Sequence, residues 1–319
     1  MKKFLGLFFV LFLSLIGLTS CSNEKTNIVS TCFAGYDFSK AIAKDLKTSS
    51  MLLAPGEELH DYSPSVADIE RVLASEVFIY IGGESDSVWV EKQILPRIDN
   101  EKTKVISLMD VVLNGGKTYN EEDPESSTIE NLEEDSEEEE LDEHVWNSLS
   151  NAKLIVNKIC EVLIEIDSIN GESYKENRDN YINSLNELDL NIKDVISKSN
   201  KNLLVFADRF PLLYFVKEYN LEYDAAFKGC ESAKEANPKT IEGLVNKVLN
   251  NNINVIFVIE LSESKIANTV KNELHNQGME VEIMTFYTMH NVSKDDYNKG
   301  MTYIDFMKLN LKSLEIALS

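Results

Sequence analysis

The sequence predicts an α/β protein of two similar lobes, each built on a mostly parallel four-stranded sheet, joined by one long rigid helix. Three observations predict it. Short apolar runs alternate with helix-length segments on both sides of the chain's middle. Runs such as 77–81 (VFIYI) and 255–259 (VIFVI) lack polar alternation, which suits parallel strands covered on both faces. The middle holds one long stretch with apolar residues in steps of four and three, at Tyr181, Leu185, Leu188, Ile192 and Val195. Successive βα units in one sheet imply right-handed crossovers.

The first twenty residues read as an address. Lys2 and Lys3 precede an apolar run over 4–17 that is too short for a comfortable membrane span, so residues 1–20 are predicted to be a signal peptide. The segment ends Leu18-Thr19-Ser20-Cys21, which resembles a bacterial lipobox. Cys21 is then the lipid-bearing residue, and 21–26 a tether that anchors the chain without spanning the membrane. No later apolar run is long enough to span, so the body is expected outside the cytoplasm. Its length suits two domains. The formal net charge of -23 argues against nucleic acid and against an anionic lipid surface as partner. Cys32, Cys160 and Cys230 form no C-x-x-C pair and make no disulfide framework.

The N-terminal lobe is expected over 27–171. Strands are predicted at 28–31, 51–54, 77–81 and 105–108, with helices at 36–46, 65–74 and from Trp89 to Ile94. Ser65 and Asp68, three apart, make a capping-box signal. The pattern breaks at 120–143, which carries fourteen acidic residues and no Lys or Arg, over half the net charge of the chain. Such a block cannot pack and is expected to be a mobile, solvated loop; a weak cation collector is the alternative. A helix capped by Asn147 or Ser148 follows and runs to Ile166. The connecting helix is expected over 172–200, about 40 Å of rod, with Ser173 and Glu176 as a capping box. The C-terminal lobe, 201–319, is expected to place strands at 203–206, 223–227, 255–259 and 281–286. Its helices are predicted at 210–219, 237–249 with Pro238 at the first position, 264–277 closed by Gly278, and 297–317.

Four histidines carry the functional signal: His60, His144, His275 and His290. His60 lies in a polar loop after the apolar run of LLAPGEELHDYSP, beyond the carboxyl end of a strand, where open α/β sheets bind ligands. His144 leaves the acidic run just before a helix, and His290 follows the last strand. His275 falls near a helix end, where it suits the dipole. The expectation is a device that gathers His60 and two other histidines around one metal ion.

A resemblance covers nearly the whole chain after the tether. LLAPGEELHDYSPSVADIERVLASEVFIYIGG resembles the first signature of the metal-binding solute receptors of bacterial zinc and manganese ABC importers. DEHVWNSLSNAKLIV resembles their second, SYKENRDNYINSLNEL the start of their backbone helix, and FVIELSESKIANTV with GMTYIDFMKLNLKSLEIAL their C-terminal lobe. The resemblance implies a metal held in the cleft between the lobes and delivered to a membrane permease driven by a cytosolic ATPase. His60 and His144 match the first two family ligands. The third, a His or Glu after the first strand of the C-terminal lobe, falls in Val205-Phe206-Ala207-Asp208-Arg209-Phe210, where no histidine stands. The fourth, an acidic residue after the last strand, falls near Met289-His290-Asn291.

The expected ligands are therefore His60, His144 and His290 with one carboxylate, Asp208 or Glu260. The alternative for Asp208 is a pair with Arg209, and Glu260 equally suits a loop-ordering role. Three imidazoles and a carboxylate favour Zn2+ over Mn2+. A site closed by protein ligands binds and does not turn over, so no enzyme is expected. H-E-x-x-H, G-x-S-x-G, a Walker loop and G-x-G-x-x-G are all absent. The reading is an extracytoplasmic, lipid-anchored, monomeric Zn2+ receptor. A Mn2+ receptor of the same class and a surface adhesion lipoprotein on the same fold are the alternatives.

Overall fold

The computed structural model describes residues 26–59, 62–120, 141–229 and 237–319. The signal segment, Cys21, His60, Cys230 and most of the acidic run (121–140) lie outside the described residues.

The first half alternates strand and helix. It runs β1 (Ile28–Ser30), α1 (Phe33–Ala43), β2 (Ser49–Met51), α2 (Val66–Leu73), β3 (Val77–Tyr80), α3 (Glu84–Trp89), β4 (Lys104–Ser107) and α4 (Leu108–Leu113). The strands pair in parallel in the order β2-β1-β3-β4. Two further helices follow, α5 (Leu149–Ile166) and α6 (Gly171–Lys198). The second half repeats the scheme with β5 (Leu203–Phe206), α7 (Leu213–Glu218), β6 (Glu222–Ala225), α8 (Pro238–Asn251), β7 (Val255–Ile259), α9 (Lys265–Asn276) and β8 (Glu282–Phe286). It closes with α10 (Lys294–Asn298) and α11 (Tyr303–Ala317). Its strands are also parallel, in the equivalent order β6-β5-β7-β8. In each sheet the first strand sits inside, so the connections leaving the first and third strands diverge. A crevice opens there, at the carboxyl ends.

The helix boundaries follow from capping chemistry. Ser65 and Asp68 form the expected reciprocal box at α2, Ser148 caps α5, and Asn237 caps α8 with Pro238 in its first turn. Ser173 and Glu176 form no box: α6 already begins at Gly171, which leaves Ser173 inside the helix. The second strand lies at Ser49–Met51, earlier than predicted: β1 ends at Ser30, whose carbonyl takes the final ladder bond from the N–H of Leu52 (2.7 Å). The single predicted C-terminal helix is two. Gly300 at φ +71° breaks it, and Thr302 with Asp305 caps the restart at α11. The helix α4 was not expected; Ser107 caps it immediately after β4.

α6, 28 residues and about 42 Å long, packs on both halves. Tyr174, Leu185, Leu188 and Ile192 are its buried contacts. One apolar core runs through the first sheet, α5, α6, the inner face of the second sheet and α11. Aromatic pairs such as Phe33–Phe306 and Phe38–Tyr303 join the two halves within it. A smaller core lies between the outer face of the second sheet and helices α8 and α9. Among the described residues no helix is long and apolar enough to cross a membrane.

Candidate metal centre

The segment carrying His144 is stitched to the second half of the chain along its length. Tyr214 donates to the carbonyl of Asp142 (2.8 Å), and the Trp146 indole Nε1 donates to the carbonyl of Thr288 (2.8 Å). Asn147 donates to the carbonyl of Pro211 (2.8 Å), and Tyr303 Oη donates to the carbonyl of Trp146 (2.7 Å). Trp146 is fully buried, so its indole N–H needs this acceptor. His144 itself sits in a non-helical conformation (φ -83°, ψ 43°) just before a short 3-10 turn over Val145–Asn147. Asp142 Oδ1 accepts from the His144 backbone N–H (2.8 Å) and lies 3.1 Å from its Nδ1. A carboxylate on Nδ1 selects the tautomer that presents Nε2 as a donor of electrons to a metal.

His290 arrives from the opposite side, in the loop after β8. Met289 takes a left-handed conformation (φ 56°), and the carbonyl of His290 accepts from the backbone N–H of Phe33 at the start of α1 (3.3 Å). The two imidazoles meet edge to face with centroids 5.1 Å apart, and Trp146 packs against both. Both rings are buried.

The third member of this cluster is Glu143. One ligand atom from each of Glu143, His144 and His290 lies within 4.8 Å of the others, all three residues being buried. Glu143 Oε2 accepts from the backbone N–H and the hydroxyl of Ser85, both at 2.9 Å. Its Oε1 is buried and has no hydrogen-bond partner among the described residues. The sequence reading placed Glu143 in the solvated acidic run and passed over it. The available signal was its position: the last acid of the run, adjoining a histidine and three residues from a tryptophan.

The two carboxylates predicted as alternatives each accept hydrogen bonds at both oxygens. Asp208 Oδ1 accepts from the backbone N–H of Arg209 (2.8 Å), and its Oδ2 lies 3.3 Å from the N–H of Ile259. The Arg209 guanidinium bonds Glu58 (3.0 Å), not Asp208. Glu260 Oε2 accepts from the backbone N–H of Thr288 (2.8 Å) and Oε1 from its hydroxyl (2.6 Å), which orders the loop leading to His290. Burial pushes the Glu260 carboxyl above its ordinary range.

His60 lies outside the described residues, but the loop leading to it is tied down. Asn291 donates to the carbonyls of Ala54 (3.0 Å) and Glu57 (2.5 Å), and Arg209 holds Glu58. His275 lies exposed at the end of α9 with Nδ1 against Glu280 (2.5 Å). A larger cavity, about 550 Å³, is lined by α1, α6 and the 297–302 segment and contains none of the histidines.

The family profile described as "ZnuA: Zinc-uptake complex component A periplasmic" matches residues 28–317. The chain is 28% identical to the high-affinity zinc uptake system protein ZnuA of Bacillus subtilis, over 99% of this chain and 98% of that one. It is 26% identical to the manganese ABC transporter substrate-binding lipoprotein PsaA of Streptococcus anginosus, over the full length of both. The crystal structure of Zn(II)-bound AdcA from Streptococcus pneumoniae superposes with a TM-score of 0.71 at 25% identity, covering 92% of this chain and 58% of that one. The present chain therefore spans little more than half the length of AdcA.

Proposed function

The chain belongs to the family of periplasmic zinc-uptake complex component A proteins, which are metal-binding components and not enzymes, and on that premise we propose that it captures Zn2+ outside the cytoplasm for import. The observation that carries this reading is the burial of His144 and His290, from opposite halves of the chain, against one another and a carboxylate. His60, at the end of a loop braced by Asn291 and Arg209, is the further ligand. Imidazole nitrogen suits zinc, whereas manganese prefers oxygen. The names of the zinc-uptake relative and of the Zn(II)-bound structure support the same metal. The match to a manganese lipoprotein keeps Mn2+ as the second reading.

On this reading residues 27–171 and 201–319 are two jaws held by the helix proposed over 172–200. Cys21 carries the lipid that keeps a monomeric receptor at the cell membrane, and the metal passes to the permease of an ABC importer driven by its ATPase. The test is metal content, then competitive zinc and manganese titration of the stripped chain beside His290→Ala. The expected result is one zinc per chain, preferred over manganese and weakened more than about tenfold in the variant. No stoichiometric metal in the wild type overturns the reading.

A further inference from the structure

We propose that Glu143 supplies the carboxylate oxygen of the metal site, through Oε1, and that Ser85 and Gly83 are built to aim it there. The inference rests on the receptor reading above and assigns an oxygen ligand that neither Asp208 nor Glu260 provides.

Three observations converge on it. First, the two oxygens of Glu143 are unequal. Oε2 is filled twice by Ser85, while Oε1 is buried with no hydrogen-bond partner among the described residues. A buried carboxylate oxygen left in this state is costly, and a cation placed against it removes the cost. Second, that carboxylate stands within ligand reach of both His144 and His290. Third, the chain has made room for it. A Cβ added to Gly83 would overlap the Cβ and Oε2 of Glu143, so any side chain there expels the carboxylate from its seat. The residues around Asp208 and Glu260 do the reverse: both oxygens of each already face backbone N–H groups or a hydroxyl.

The arrangement has a stereochemical consequence. Adjacent residues normally send their side chains apart, but the non-helical backbone at His144 brings both Glu143 and His144 to one point. With Ser85 holding Oε2, Glu143 binds through one oxygen only. The first half of the chain then supplies an oxygen and a nitrogen from consecutive residues, and the second half supplies the nitrogen of His290.

The test compares zinc competition and the visible spectrum of the Co2+ form in the metal-stripped wild type, Glu143→Gln, Ser85→Ala and Gly83→Ala. Glu143→Gln keeps the size and loses the charge. It is expected to weaken zinc about 100-fold and to change the Co2+ spectrum, while the metal-free protein unfolds at the same or a higher temperature. Ser85→Ala, which frees the carboxylate to swing, is expected to cost about 10-fold and to shift the spectrum less. Gly83→Ala leaves the carboxylate in the chain but displaces it, so it reports on the same question should Glu143→Gln fail to fold. Zinc affinity and Co2+ spectrum like wild type in Glu143→Gln overturn the assignment, as does a loss of metal-free stability with affinity unchanged. A wild type that binds no zinc fails the receptor reading itself, and is seen without any variant.

Discussion

Glu143 adjoins His144 in the first half of the chain and Glu260 orders the loop to His290 in the second, and hydrogen bonding has given them different work. Glu260 is filled at both oxygens by Thr288, and through Thr288 it reaches the indole of Trp146. It is a strut. Glu143 is filled at Oε2, has no partner for Oε1 among the described residues, and stands with one oxygen near two imidazoles. The difference teaches that an acid near paired imidazoles is judged by whether one of its oxygens is left without a donor rather than by its nearness. A carboxylate oxygen that already accepts a hydrogen bond is held in place by it, whereas one that accepts none has only a cation or a new donor to offset its burial.

The largest effect that sharpens this contrast is expected from His144→Ala, which removes a nitrogen donor and the partner of Asp142. Zinc affinity should fall by roughly a thousandfold, about 4 kcal/mol, as read by chelator competition. Next comes Glu260→Ala. It strands the N–H and hydroxyl of Thr288, so the metal-free protein should lose about 2 kcal/mol in denaturant unfolding. Its zinc affinity should fall less than that of Glu143→Gln, and the opposite ranking would break the comparison.

Another acid, Asp37, buried in the first half, supplies a pH test away from the histidines. Its carboxylate accepts from Tyr181 (3.2 Å) and from the backbone N–H of Tyr303 (3.1 Å), yet burial pushes its pKa up from 3.8 to about 6. The folded state therefore holds a proton that the unfolded state has released between those values. The stability this adds is full below pH 3.8 and is lost as pH rises through about 6. Asp37→Asn should flatten that part of the stability–pH curve, a change on the order of 3 kcal/mol at most, and an unchanged slope in urea unfolding from pH 4 to 7 would contradict it. The smallest effect is expected from Trp146→Phe, which deletes the N–H to Thr288. It should lower stability by about 1 kcal/mol and leave zinc bound.

Much of the fold was legible because buried parallel strands are unbroken apolar runs. The strands Leu203–Phe206 and Val255–Ile259 stand where periodicity alone put them. Helix starts were legible where a capping side chain had no competitor, as at Ser65 and Asn237. They were misread where tertiary packing carried the helix past the signal, as at Ser173. His144 and His290 were legible because histidine is rare in this chain and both fall in loops at strand or helix ends. Their meeting was expected from their loop positions and from the resemblance, but the contacts that bring it about, of Trp146, Tyr214 and Tyr303 across more than seventy residues, were not legible. Glu143 was hidden by composition. Twelve acids in the neighbouring residues 121–140 made it look like one more solvated charge, and only the fold shows it turned inward against Ser85.

The most direct measurement is an anomalous difference map at the zinc absorption edge from crystals of the zinc-loaded chain. The account predicts one peak, about 2.0–2.2 Å from a nitrogen of His144, a nitrogen of His290 and Oε1 of Glu143. A peak bonded to Asp208 or Glu260 with Glu143 turned away, or no peak at these residues at all, would contradict it.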